Sequence, residues 1–295
     1  MNNLKTVALL ALLGAILMGI GFAIGNLGGL IVGFVIALVM NGVAYWMSDR
    51  IALMATGARE VTLDEEPELH RLVEEVAALA RLPKPRLAVI QSDQPNAFAT
   101  GRNPHHAVVA VTTGIRRILD ERELMAVLGH ELGHVRNRDI LIGSIAAVIA
   151  AAISFIAYML QWSFFMGGFG GRRNGGGVIQ IVAMLATIIL APLAAMIIRM
   201  AITRAREYGA DETGAHITGT PLALASALEK LEAYAKVRPM KVNPATSHLF
   251  IVNPLRGRRE GEGEAWFVGL FLTHPPISKR IERLNEIARR TGMLA

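Results

Sequence analysis

The chain has 295 residues, with 30 Lys and Arg against 24 Asp and Glu, a formal charge of +6, 53% hydrophobic residues and only 18% charged ones. Ordinary soluble domains carry about 25% charged residues, so this makeup excludes a disordered or acidic tail protein and argues against a purely aqueous globule. There is no cysteine, which excludes disulfide scaffolds, thiolate zinc sites and thiol nucleophiles and leaves any metal to His, Asp and Glu. The basic residues form no aromatic-interleaved stripe, so no nucleic-acid partner is expected.

The first two apolar stretches, Leu4 to Ile24 and Leu27 to Met47, each reach the roughly 20 residues that cross a bilayer. The first is too long for a signal peptide and leads through Asn26 to Gly29 straight into the second, so the pair reads as a retained anchor hairpin. Tyr45 and Trp46 stand where interfacial aromatics belong. Next come an amphipathic helix from Pro67 to Leu82, short strands at Arg86 to Gln91 and Ala107 to Thr112, and a third strand candidate at Ala97 to Thr100. Asp120 with Glu123 makes a capping-box pattern that starts a helix running to about Arg138.

A second apolar pair follows, Ile140 to Met166 and Val178 to Met200. Helices are then predicted at Ile202 to Thr218, Pro221 to Lys236 and Pro276 to Arg290, with a Gly-, Arg- and Glu-rich loop over Asn253 to Glu264. If all four apolar stretches span, the loop side opposite the polar domains holds only Arg172 and Arg173, while Lys5, Arg50, Arg59, Arg136, Arg138, Arg199, Arg204 and Arg206 share the other side. The positive-inside rule makes that basic side cytoplasmic. Four regions result: an N-terminal transmembrane hairpin (1–47), a first catalytic part with a small sheet (48–139), a second hydrophobic hairpin (140–200) and a second catalytic part (201–295).

The chemistry sits on the capped helix, at His130-Glu131-Leu132-Gly133-His134. At 100° per residue the two imidazoles are about 40° apart and one turn apart in height, so both can reach one ion, with Glu131 beside that ion and not on it. Leu124, Leu128, Leu132 and Val135 lie on the opposite face, and the small Ala126, Gly129 and Gly133 let a neighbouring chain come close. A catalytic zinc needs a third protein ligand and an open position. Glu207 in Arg206-Glu207-Tyr208-Gly209-Ala210-Asp211 is the best candidate, and Asp211, one turn on, can accept the free ring N–H of a ligand histidine. These elements add up to a mainly α protein with a small β-sheet (α+β), an integral membrane protein with two hydrophobic helical hairpins and a zincin-like catalytic domain.

Taken in order, the paired N-terminal spans, Asn96-Ala97-Phe98-Ala99-Thr100-Gly101, the His130 to His134 motif, the second apolar hairpin, the Arg206 to Asp211 segment and Thr273-His274-Pro275-Pro276 resemble the HtpX group of bacterial membrane zinc metalloproteases, relatives of the CAAX prenyl proteases. The resemblance implies one Zn2+ per chain and ATP-independent endoproteolysis, in quality control of the inner membrane and from its cytoplasmic side. With zinc on His130, His134 and Glu207, Glu131 serves as general base. His274 is the candidate second donor to the oxyanion, and Asn96, Ala97 and Phe98 resemble the edge strand on which thermolysin-like enzymes hold substrate. The implied partners are the lipid bilayer and unfolded or membrane-tethered polypeptides. Two other classes compete with this reading: a non-catalytic metal-stabilised membrane scaffold, and a transporter, against which the apolar stretches carry hardly any ionisable residue.

Overall fold

A computed structural model describes residues 2–146, 149, 204–237, 249–252 and 275–293. Most of the second apolar pair, the Asn253 to Glu264 loop and His274 lie outside the described residues.

Helix α1 (Asn2–Trp46) turns back on itself at Asn26, whose φ of 49° is left-handed. The two arms meet closely enough that a Cβ on Gly33 would lie 2.5 Å from the Leu17 carbonyl oxygen, and Asn41 Nδ2 donates to the Leu10 carbonyl at 3.2 Å. The outward face is greasy. Leu27, Ile31, Val32, Val35, Leu38 and Val39 are each more than half exposed. Residues Asn26–Trp46 form a helix long and apolar enough to cross a membrane.

Helix α2 (Ser48–Thr56) follows at once and ends on Gly57 in the left-handed conformation. It leads into β1 (Ala58–Glu60), and the Asp49 carboxylate pairs with Arg86 on β2 (Arg86–Ile90), which fastens α2 to the sheet. With β3 (Ala97–Thr100) and β4 (Val108–Thr112) the sheet has four strands in the order β1-β2-β4-β3. The central β2 and β4 are parallel, and the edge strands β1 and β3 run antiparallel to their neighbours.

Both faces of the central strands are covered, so β2 and β4 read as nearly continuous apolar runs. Leu87, Val89, Val109 and Val111 point into the main core, whereas Ala88, Ile90, Val108 and Ala110 point the other way, against Ala52 and Leu53 of α2 and against Phe250. The main core is completed by α3 (Pro67–Ala80), the short α4 (Ile115–Ile118), α5 (Glu121–Arg136), α6 (Arg204–Thr218), α7 (Pro221–Val237) and α8 (Ile277–Thr291).

Helix α5 starts on a complete capping box. The Glu123 N–H donates to Asp120 Oδ1 at 2.8 Å, and the Asp120 N–H donates to Glu123 Oε2 at 3.0 Å. Glu123 also receives Ser226 Oγ and Lys230 Nζ of α7, each at 2.7 Å, so the cap doubles as a tie between helices. Compared with the sequence reading, α5 stops two residues early, and the elements α2, β1 and α4 are additions.

Candidate metal centre

Helices α5 and α6 cross backbone to backbone. A Cβ on Gly214 would lie 2.7 Å from the His130 nitrogen, and one on Gly133 would lie 3.0 Å from the Ala210 carbonyl oxygen. The small residues of the motif helix therefore decide how near Glu207 and Asp211 come to the histidines.

The ligand atoms of His130, His134 and Glu207 all lie within 4.8 Å of one another. His134 Nε2 is 3.6 Å from Glu207 Oε1, and the two imidazoles stand at 85° with centroids 4.8 Å apart. An ion with bonds of about 2.0–2.2 Å in a tetrahedral shell needs ligand atoms about 3.3–3.6 Å apart. This donor set fits such an ion after small side-chain rotations. Each histidine turns its other nitrogen to a carboxylate: His130 Nδ1 is 2.9 Å from Asp211 Oδ1, and His134 Nδ1 is 3.3 Å from Asp139 Oδ2. That is the arrangement that fixes a ligand imidazole's tautomer and tilt.

The electrostatics match a site built for a cation. Burial, with the nearby Arg280 charge adding to it, pulls His130 down to about 4, so this imidazole is neutral and ready to bind. For His134, burial works downward but is outweighed by the Asp139 hydrogen bond and the Glu207 and Glu131 charges, which push it up to about 9. The carboxylates hold a positive charge at this point, and a divalent ion can take over that role. Glu131 is pushed up to about 7, chiefly by burial, while the Ala99 backbone N–H favours its ionised form. A carboxyl with that value can both take and return a proton near neutral pH.

Asn96, Ala97 and Phe98 are all buried, with no exposed surface. The Asn96 side chain is taken up by Val252: its Nδ2 donates to the Val252 carbonyl at 2.7 Å, and its Oδ1 accepts from the Val252 N–H at 3.3 Å. Phe98 packs edge-on against Phe250, with centroids 5.2 Å apart. What β3 offers on the site side is backbone, at Ala99.

Two partners of the site were missed in the sequence. Asp139 follows the motif helix within a charged Arg136 to Asp139 turn, and its only signal is its closeness to His134. Arg280 donates to both oxygens of Asp211, through Nε at 2.8 Å and Nη2 at 2.6 Å. Its signal is positional, since it stands on the helix face that also carries the buried Ile277, Leu284 and Ala288.

Residues 63–288 match the family model described as Peptidase family M48. The chain belongs to peptidase family M48. Among its relatives, a "Protease HtpX homolog" of Pyrococcus furiosus is 53% identical over 98% of this chain and 97% of its own length. One of the same description from Aquifex aeolicus is 50% identical over 94% of this chain and 90% of its own. The crystal structure of S. mikatae Ste24p aligns with a TM-score of 0.49 and 20% identity over 95% of this chain, which spans 64% of that longer one. With its M48 domain and its protease relatives, the chain is a metalloendopeptidase, and His130, His134 and Glu207 are a group that could hold its metal.

Proposed function

We propose that this M48 peptidase is a zinc endopeptidase of the inner membrane, cutting misfolded or damaged membrane polypeptides from the cytoplasmic side as a quality-control enzyme. His130, His134 and Glu207 would hold one zinc. When bound, zinc supplies a Lewis acid that makes water acidic and polarises a carbonyl. Glu131 accepts the proton of the attacking water and returns it to the leaving amine. Asp211 and Asp139 hold the two imidazoles in place. His274 is kept as the proposed second oxyanion donor.

The observation that carries this reading is the largely buried group of His130, His134 and Glu207, with Glu131 beside it on α5, packed against β3 at the edge of the sheet. An extended substrate that pairs with that edge brings its backbone carbonyls to the general base, and main-chain pairing accepts varied side chains. The sheet edge is partly taken already, because the Ala97 carbonyl accepts from the Ile251 N–H at 3.0 Å. Substrate pairing is thereby confined to the Ala99 side. Ala97 and Phe98 support the edge from within the cores on either face.

Membrane anchoring is supported by the exposed apolar face of α1 and by Arg102, which stacks 4.7 Å above Trp46 at the end of the hairpin. In the proposed anchoring Trp46 is an interfacial aromatic, and Arg102 ties the loop after β3 to it. In the proposed topology both hairpins span and both chain termini are cytoplasmic. The expected partners are lipid and unfolded or tethered polypeptide, with no nucleic acid.

The test reconstitutes the purified protein in lipid and offers one cleavable sequence in three forms: tethered to a transmembrane anchor, free and unfolded, and inside a stable domain. Cutting of the first two, lost with a chelator and restored by zinc, is the expected result. Equal cutting of the folded form would show that strand pairing near a membrane does not select the substrate.

A further inference from the structure

Among the described residues, Arg280 is the largest side chain with no exposure at all. A guanidinium so placed is costly unless every arm is used, and its arms all end on the metal centre or on Ile251 beside it. Nε and Nη2 form a fork on the two Asp211 oxygens at 2.8 and 2.6 Å. Nη2 is also 3.3 Å from His130 Nδ1. Nη1 donates to the Ile251 carbonyl at 3.1 Å and lies 3.8 Å from Glu207 Oε2.

We propose that Arg280 is a positioning residue that holds the metal ligands and the substrate edge in one register. The proposal rests on the reading of His130, His134 and Glu207 as metal ligands. The Asp211 carboxylate has one oxygen on His130, and unrestrained it could swing about its own χ angles. The fork removes that freedom, and the imidazole tilt with it. The other arm acts at a distance. Ile251 gives its carbonyl to Arg280 and its N–H to Ala97, and Val252 is held by Asn96. The contacts therefore run from His130 through Asp211, Arg280 and Ile251 to Ala97 of β3, the strand against which the motif helix packs. Lysine would supply the same charge but cannot bond two carboxylate oxygens and a carbonyl in one plane.

The experiment compares wild type, Arg280→Lys, the double variant Arg280→Met with Asp211→Leu, and His130→Ala, each as the full lipid-reconstituted chain. Replacing both members of a buried ion pair by apolar residues of similar size is usually tolerated, and a thermal melt by circular dichroism checks that the double variant folds. Co2+ is the probe, read by competition with a chelator and by its visible spectrum, and peptide hydrolysis gives kcat and KM separately. The double variant is expected to lose about 10- to 100-fold in Co2+ affinity with an altered spectrum. Arg280→Lys is expected to keep more of that affinity and to raise KM more than it lowers kcat. Wild-type affinity and spectrum in the double variant, or wild-type KM and spectrum in Arg280→Lys, would overturn the positioning role. Unchanged Co2+ binding in His130→Ala would instead overturn the metal-site reading on which it rests.

Discussion

The N-terminal hairpin and the metal centre break opposite rules of a water-soluble protein. The hairpin turns Val32, Val35 and Val39 outward, while the centre encloses His130, Glu131, Glu207, Asp211 and Arg280 with almost no exposure. Each is stable only in the right company. An outward apolar arm needs lipid, where its area has no reason to hide. An inward cluster of charges needs internal pairing, and Asp211 shows it: burial works against its ionised form, but the Arg280 charge and hydrogen bonds hold its carboxyl below the usual range. The difference teaches that the two halves should respond to different perturbations, the centre to changes of one charge or atom and the hairpin to changes of shape.

The largest expected effect is at Glu131, the proposed general base. Glu131→Gln removes the proton acceptor without changing the size of the side chain, so peptide hydrolysis should fall by about 100- to 10,000-fold, measured as kcat/KM on an unfolded casein substrate. Retention of a tenth of the wild-type rate would remove Glu131 from the mechanism. A smaller loss is expected from Asp211→Asn, which still fills its place but no longer balances Arg280 or holds His130 as an anion. Metal affinity or activity should drop about 10- to 100-fold, and a chelator titration reads it.

The hairpin should answer differently. Gly33→Leu adds atoms where a Cβ already lies 2.5 Å from the Leu17 carbonyl oxygen. Overpacking of this kind costs about 1–3 kcal/mol, so the melting temperature of the reconstituted protein should fall while kcat on a soluble peptide stays within about twofold. A comparable fall in kcat would mean that the two regions are one cooperative unit, and the comparison would need redrawing.

How much of this was legible in the sequence depends on how local each feature is. The motif helix was readable because its cap, its apolar face and its histidines lie within one stretch from Asp120 to Arg136. The turn at Asn26 was readable from a polar break between two apolar runs. β1 was not, because Ala58, Arg59 and Glu60 form a largely exposed edge strand with no apolar run, held chiefly by pairing with β2. α2 was hidden for a related reason: it is short, follows the span without a break, and buries only one side against the sheet. At the centre, Glu207 and Asp211 could be read because a zinc needs a third ligand and their spacing puts them on one face. Arg280 and the Asn96 clamp on Val252 are set by contacts between residues 69 and 156 positions apart. No local pattern encodes such pairs, although a charged residue within the apolar face of α8 was a sign that a partner waited inside.

The central claim is that Glu207 holds the metal and Glu131, in the same cluster, does not. Metal content measured on Glu207→Ala and Glu131→Gln, purified side by side with wild type, tests it most directly. The account predicts one zinc per chain in wild type and in Glu131→Gln, and clearly less in Glu207→Ala. Full zinc in Glu207→Ala, or zinc lost from Glu131→Gln, would contradict it.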